Sequence, residues 1–332
     1  MSSFKKNKKV HPFPELSITP EQEEKVRSMI EESRQEVPPY WEKGVTESFY
    51  VPVDDGEIRV FHWKPENPVS IRPVVFIPGW GVVPRNYDDY FEVMYNKVEC
   101  FYIETREKGS SRIDRKKARL DLHQKAKDIA DALHYLGLEG EKDFVLMAPC
   151  WGAAILMQGM YNKIISAPTI VAVDPMHTLW FPKWILSYVG PWLPSFLAGM
   201  LKPIFGKILL GDMEEPVQKK RATELLDQAV VWKWHHSAVQ VRNYELYDII
   251  HEIKNEVIVV NGTTDKIHDQ NDYPRLARLL PNSKFIYMKT GEENRERLMG
   301  VVGLEFSKVT AEDGIPPSLQ EFERELQRAA DE

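Results

Sequence analysis

The 332-residue sequence has only two cysteines, Cys100 and Cys150, too few for a disulfide framework or a cysteine-ligated zinc site and in keeping with a reducing compartment. Histidine is also sparse, and none follows His268. The N-terminus, MSSFKKNKKVHPF, lacks the apolar stretch of a secretory signal, so the expected location is cytoplasmic. Positive residues cluster only at Lys5, Lys6, Lys8 and Lys9, and the formal net charge is -7, which argues against a nucleic-acid partner. There is no internal repeat or low-complexity tract, and no metal or other cofactor is expected.

Long charge-free runs are almost absent. Of the few present, residues 184–201, WILSYVGPWLPSFLAGML, reach the minimum length of a membrane-spanning helix. Pro191 and Pro194 break it, and it lies between segments that read as strands of one sheet. The expectation is therefore an apolar cap able to touch a membrane peripherally, not a span.

Thr19, Pro20 and the acids after them mark a helix start, giving an N-terminal tail and helix over residues 1–44. Two alternating runs, 47–53 and 57–63, flank Asp54-Asp-Gly56 and read as a hairpin. Six short apolar runs follow at 74–77, 100–103, 144–147, 170–173, 257–260 and 284–288, the pattern of strands buried on both faces. Residues 121–136 carry Leu122, Ala126, Ile129, Ala130 and Leu133 at helical spacing.

Alternation of strands and helices predicts an α/β fold with a doubly wound, mostly parallel sheet. Its core would span 45–176 and 252–310, with an apolar helical cap at 177–251, inserted after the sixth strand, between the two halves. Residues 311–332 are expected to close the chain as a C-terminal helix, with Leu319, Phe322 and Leu326 on its packing side.

In a parallel sheet, chemistry collects at the carboxyl ends of the strands. There the sequence reads Pro78-Gly-Trp-Gly81, Glu104-Thr-Arg-Glu-Lys-Gly-Ser-Ser111, Ala148-Pro-Cys-Trp-Gly152 and Asn261-Gly-Thr-Thr-Asp265. Taken in order, these segments resemble the α/β-hydrolase fold superfamily over about residues 45–310. Ala148, Cys150 and Gly152 hold the three defining positions of its Gly-x-Ser-x-Gly nucleophile elbow. Arg106, Gly109 and Ser111 match a loop of the form Asp-x-Arg-Gly-x-Gly-x-Ser. The resemblance implies Cys150 as nucleophile, the backbone N–H groups of Trp80 and Trp151 as oxyanion donors, and Asp265 as catalytic acid.

The departure is at the histidine, where Glu292 follows Gly291 in place of the expected His. His177 and His268 are the candidates to stand in for it, while His235 and His236 are expected to pack or face solvent. A serine without its base is nearly inert, whereas a cysteine can attack as a thiolate, which a helix N-terminus favours. Departure of an alkoxide or amine needs a proton donor, but a thiolate leaves without one.

The first reading is thus acyl transfer or hydrolysis of an apolar acyl thioester or ester through Cys150. The alternative is a non-catalytic relative that binds an apolar ligand or protein partner. Carboxylates at both 265 and 292 would oppose a thiolate unless a cation such as Arg106 offset them.

Overall fold

The apolar runs pair into one mixed sheet in the computed structural model, which describes residues 13–37, 46–139, 142–179, 181–211, 215–262 and 269–327. The strands are β1 (Thr46–Val53), β2 (Gly56–Trp63), β3 (Val74–Phe76), β4 (Cys100–Ile103), β5 (Arg112–Ile113), β6 (Val145–Pro149), β7 (Thr169–Val173), β8 (Val257–Asn261), β9 (Ser283–Tyr287) and β10 (Glu323–Arg324). Their order is β1-β2-β4-β3-β6-β7-β8-β9-β10, with β5 paired to β2. The ladders from β4 through β9 are parallel, and antiparallel pairs close the two edges.

Side chains alternate across a strand, so each run feeds two cores. Val75, Ile77, Leu146 and Ala148 pack on one face with residues of α3 (Leu122–Tyr135), α4 (Cys150–Tyr161) and α9 (Asp272–Leu279). Val74, Phe76, Val145 and Met147 pack on the other, with α1 (Pro20–Glu32), α2 (Asp88–Met94) and α10 (Arg295–Ser307). Thr19 caps α1 in a full capping box with Gln22, and the Asp121 side chain caps α3. Cys100 is buried in β4, and burial pushes its thiol up to about 12.

Between β7 and β8 lie α5 (Ser195–Met200), α6 (Lys202–Gly211), α7 (Pro216–Gln228) and α8 (Val231–Val241). Because β5 adds a short strand, this insertion follows the seventh strand, where the sequence suggested the sixth. The charge-free stretch is divided into a π-helical turn (Ile185–Val189), a 3-10 turn (Gly190–Trp192) and α5. Among the described residues, no helix is long and apolar enough to cross a membrane.

The helix expected near the C-terminus is instead a 3-10 turn (Gln320–Phe322) leading into β10. Leu319 and Phe322 are fully buried as their spacing suggested. Pairing of Glu323 with Ile286 and Arg324 with Phe285 completes the open edge of β9, which a helix there would leave unpaired.

The turn from β6 into α4 fixes the site. Cys150 has φ +50, a left-handed conformation in which a residue with a Cβ is strained. Two residues on, a Cβ built on Gly152 would lie 2.3 Å from the Ile77 carbonyl oxygen and 2.8 Å from that of Pro78. Only glycine lets α4 pack this closely on the segment after β3. Gly152→Val is expected to lower stability by about 1–3 kcal/mol in urea unfolding. Gly211→Ala, whose added Cβ meets nothing within 4 Å, should stay within about 0.5 kcal/mol of the parent.

Candidate active site

Strand register sets out a row of residues. Pro149 pairs with Val173 and Val173 with Val260, so Cys150, Asp174 and Asn261 follow at the same level on adjacent strands, about 4.8 Å apart per strand. Gly79 joins the row on the other side, since a Cβ built on it would lie 3.7 Å from the Cβ of Cys150. Cys150 is half-buried. Asp174, like Cys150, is left-handed, with φ +43, and is almost completely buried.

Gly79 is held through both of its backbone polar groups. Its N–H donates to the Tyr87 hydroxyl at 3.2 Å, and its carbonyl accepts from Lys108 Nζ at 2.5 Å. Burial, reinforced by Cys150 and Glu296, pushes the Tyr87 phenol above its ordinary range, so it stays neutral. Trp80 N–H belongs to the same peptide unit as the Gly79 carbonyl and points opposite to it, because the peptide is planar and trans. Lys108 therefore fixes the direction of the Trp80 N–H.

Lys108 is part of a buried ionic cluster. Glu107, standing where the hydrolase-like loop pattern has glycine, lies 3.6 Å from Lys108 and 3.2 Å from Lys125. Lys125 also donates to Ser237 Oγ at 2.8 Å and lies over the Trp80 ring. Lys233, on α8, donates to the carbonyls of Lys108 and Ser111, each at 2.6 Å. Burial lowers Lys108 and Lys233 to about 8. For Glu107 burial alone would raise the carboxyl, but Lys125 and Lys108 outweigh it and hold the group at about 2. The cluster thus ties the insertion to the loop that carries Gly79, and Trp234 on α8 lies directly over Gly81.

Of the other residues singled out in the sequence, Trp80 and Trp151 bring their rings together, with centroids 5.5 Å apart. Trp151 also packs against Tyr244. The Nε1 atoms of both tryptophans and the Tyr244 hydroxyl are buried without a partner among the described residues, places suited to ordered water or a ligand acceptor. As the second residue of α4, Trp151 has a backbone N–H among those that no intrahelical carbonyl takes up.

His177 offers neither ring nitrogen to Cys150. Nδ1 faces Glu245 at 3.0 Å and Nε2 faces Asp272 at 3.4 Å. Burial works against its positive charge, but the two carboxylates prevail and raise its pKa above the ordinary value. Glu292 is half-buried in the turn before α10, and its backbone carbonyl accepts from Gln218. Asp265 and His268 lie outside the described residues. His235 packs through a ring-nitrogen bond to the Gly190 carbonyl, as expected.

Arg106 is not the cation of this site. It is fully buried in a bidentate pair with Asp128 and a second pair with Asp55, on the loop below. Among the described residues, a cation beside Asp174 is Arg295, whose Nε is 3.3 Å from Asp174 Oδ2. Asn261 donates to the other Asp174 oxygen at 2.6 Å. Sequence reasoning passed over Asp174, Asn261, Arg295 and Lys108. For Asp174 a signal existed, since it directly follows a strand just as Cys150 does.

Gly79-Trp80 is the only Gly-Trp dipeptide in the chain, so 13C-carbonyl glycine with 15N tryptophan gives a single correlated NMR peak. The peak is expected to shift as pH rises through about 8 and Lys108 loses its proton, and Lys108→Met should abolish the shift. A pH response unchanged in the variant would contradict the Lys108 grip.

No family model matches the sequence, and no curated protein matches it. Solved structures do. An esterase from Exiguobacterium antarcticum superposes with a TM-score of 0.59 at 18% identity, covering 75% of this chain and 96% of its own. An esterase from Thermogutta terrifontis gives 0.56 at 16% identity, over 76% of this chain and 93% of its own. A putative lipase from Acinetobacter baumannii gives 0.57 at 13% identity, over 85% and 94%. Sheet order, the strained residue between β6 and α4 and these superpositions agree that this chain has the α/β-hydrolase fold.

Proposed function

We propose that the protein is an acyl-transfer or hydrolytic enzyme acting through Cys150 on an apolar acyl thioester. The observation that carries this reading is the placement of Cys150, half-buried in a left-handed turn at the start of α4 and beside Gly79. The thiolate attacks the carbonyl carbon, and the resulting oxyanion is held by the Trp80 and Trp151 N–H groups. Collapse expels the thiolate leaving group, and the acyl-cysteine then passes its acyl group to water or another acceptor. Lys108 acts as a positioning residue for the Trp80 donor, and Arg295 offsets the charge of Asp174 beside the nucleophile.

The preference for a thioester follows from the acid–base inventory of the described residues. His177 has both nitrogens turned to carboxylates, so it does not serve a departing alkoxide. A general acid contributes about 10²–10⁴-fold where one is needed. A thioester should therefore exceed the oxoester of the same acyl chain by about 10²-fold or more in kcat/KM.

Steady-state kinetics on that substrate pair test the proposal. Cys150→Ala is expected to remove turnover, and Cys150→Ser to leave the protein nearly inert, because His177 is held by Glu245 and Asp272 and does not serve as its base. Lys108→Met should lower kcat with little change in KM, and Lys108→Arg should recover part of the loss. Turnover that survives Cys150→Ala would overturn the reading. The same carboxylate-bound His177 favours the second reading, a non-catalytic acyl binder, which gains support if the protein binds a thioester without turning it over.

A further inference from the structure

The outer surface of the insertion differs from the rest of the molecule. Trp184 is 62% exposed, Tyr188 77%, Trp192 84%, Phe196 70%, Met200 71% and Ile204 57%. These positions recur at every fourth residue across turns of different kinds. The inner side of the same segment is covered by α8. His235 bonds to the Gly190 carbonyl, Val239 packs against Gly190, and Val231 approaches Gly199. The packing requirement is thus met on the inside, while the largest aromatic side chains remain outside.

The charge pattern indicates what covers them. Residues 175–211 contain no Asp or Glu, although the chain's 50 acids in 332 residues would on average place about five or six there. They do contain Lys183, Lys202 and Lys207. A second copy docked face to face would bring these lysines opposite one another, which is unfavourable. A surface that is negative outside and apolar beneath suits both features, and Trp and Tyr are the side chains that settle at a membrane–water boundary.

We propose that residues 184–204 form a docking face for an anionic lipid bilayer, seating the protein peripherally through its exposed aromatic and aliphatic side chains with the lysines near the headgroups. Beneath this face, α8 carries Trp234 against Gly81 and Lys233 into the loop that holds Gly79. Docking would set the site beside a source of apolar acyl groups. The proposal stands on the surface of the insertion and is independent of the chemistry at Cys150.

The test is co-sedimentation of the full chain with vesicles of phosphatidylcholine alone and of phosphatidylcholine mixed with phosphatidylglycerol. Wild-type protein is expected to bind the anionic vesicles and to weaken with added salt. W192S/F196S should lower the affinity at least about ten-fold. K202Q/K207Q should lower it about five-fold per lysine and reduce the preference for anionic lipid.

The replaced residues are largely surface groups, and an unchanged melting temperature verifies folding. Wild-type protein left in the supernatant with every vesicle would overturn the proposal. So would vesicle binding untouched by W192S/F196S, or a dimer in light scattering that those substitutions dissociate while vesicles bind nothing. Cys150→Ala should bind vesicles as wild type does, so loss of the acyl chemistry and loss of docking are read separately.

Discussion

The approach of α4 to the segment after β3 is the contact on which the site depends. Gly152 lies against the Ile77 and Pro78 carbonyls, leaving no room for a Cβ, and the chain reaches this position only by passing through a left-handed residue at Cys150. That geometry lifts the thiol out of the strand, places it at the head of a helix and brings Gly79 alongside. The strain is retained because the strands on both sides are fully buried and their ladders are complete.

A second constraint is electrostatic. Glu107, Lys108, Lys125 and Lys233 are charged groups in a space that hydrophobic residues could fill more cheaply, and they are satisfied by ion pairs of Glu107 with Lys108 and Lys125 and by hydrogen bonds to Thr105, Ser237 and the Gly79, Lys108 and Ser111 carbonyls. Their arrangement connects three parts: the loop after β4, the Gly79 peptide and helix α8. The insertion is therefore fastened to the loops around Gly79 by the buried Lys233 hydrogen bonds and by Trp234, while its far side remains apolar and uncovered. Stability from the Glu107 carboxylate should be present above about pH 4.5 and be lost as pH falls toward about 2, because its folded-state pKa is depressed.

Much of this was legible in the sequence, and for identifiable reasons. The strands buried on both faces announce themselves as apolar runs, and Thr19 marks a helix start through its own side chain. The elbow shows as small residues around Cys150. What was not legible depends on tertiary pairing. Arg106 looked available to the site because its motif is shared, but Asp128 and Asp55, distant in sequence, bind it. Arg295 lies three residues beyond Glu292, in a segment whose relation to Asp174 only the sheet register reveals. Leu319 and Phe322 have helical spacing but bury equally well in a turn that leads into an edge strand, so periodicity alone chose the wrong element.

In the proposed reaction, a good leaving group does the work of a proton donor, which links Cys150 to the Glu292 found where the hydrolase pattern has histidine. The most direct measurement is mass spectrometry of the full chain, acid-quenched soon after mixing with an apolar acyl thioester and then mapped by peptide. An acyl adduct on the peptide containing Cys150, with none on the buried Cys100, is the predicted result. A protein that binds the thioester yet gains no acyl mass at Cys150 would contradict the account.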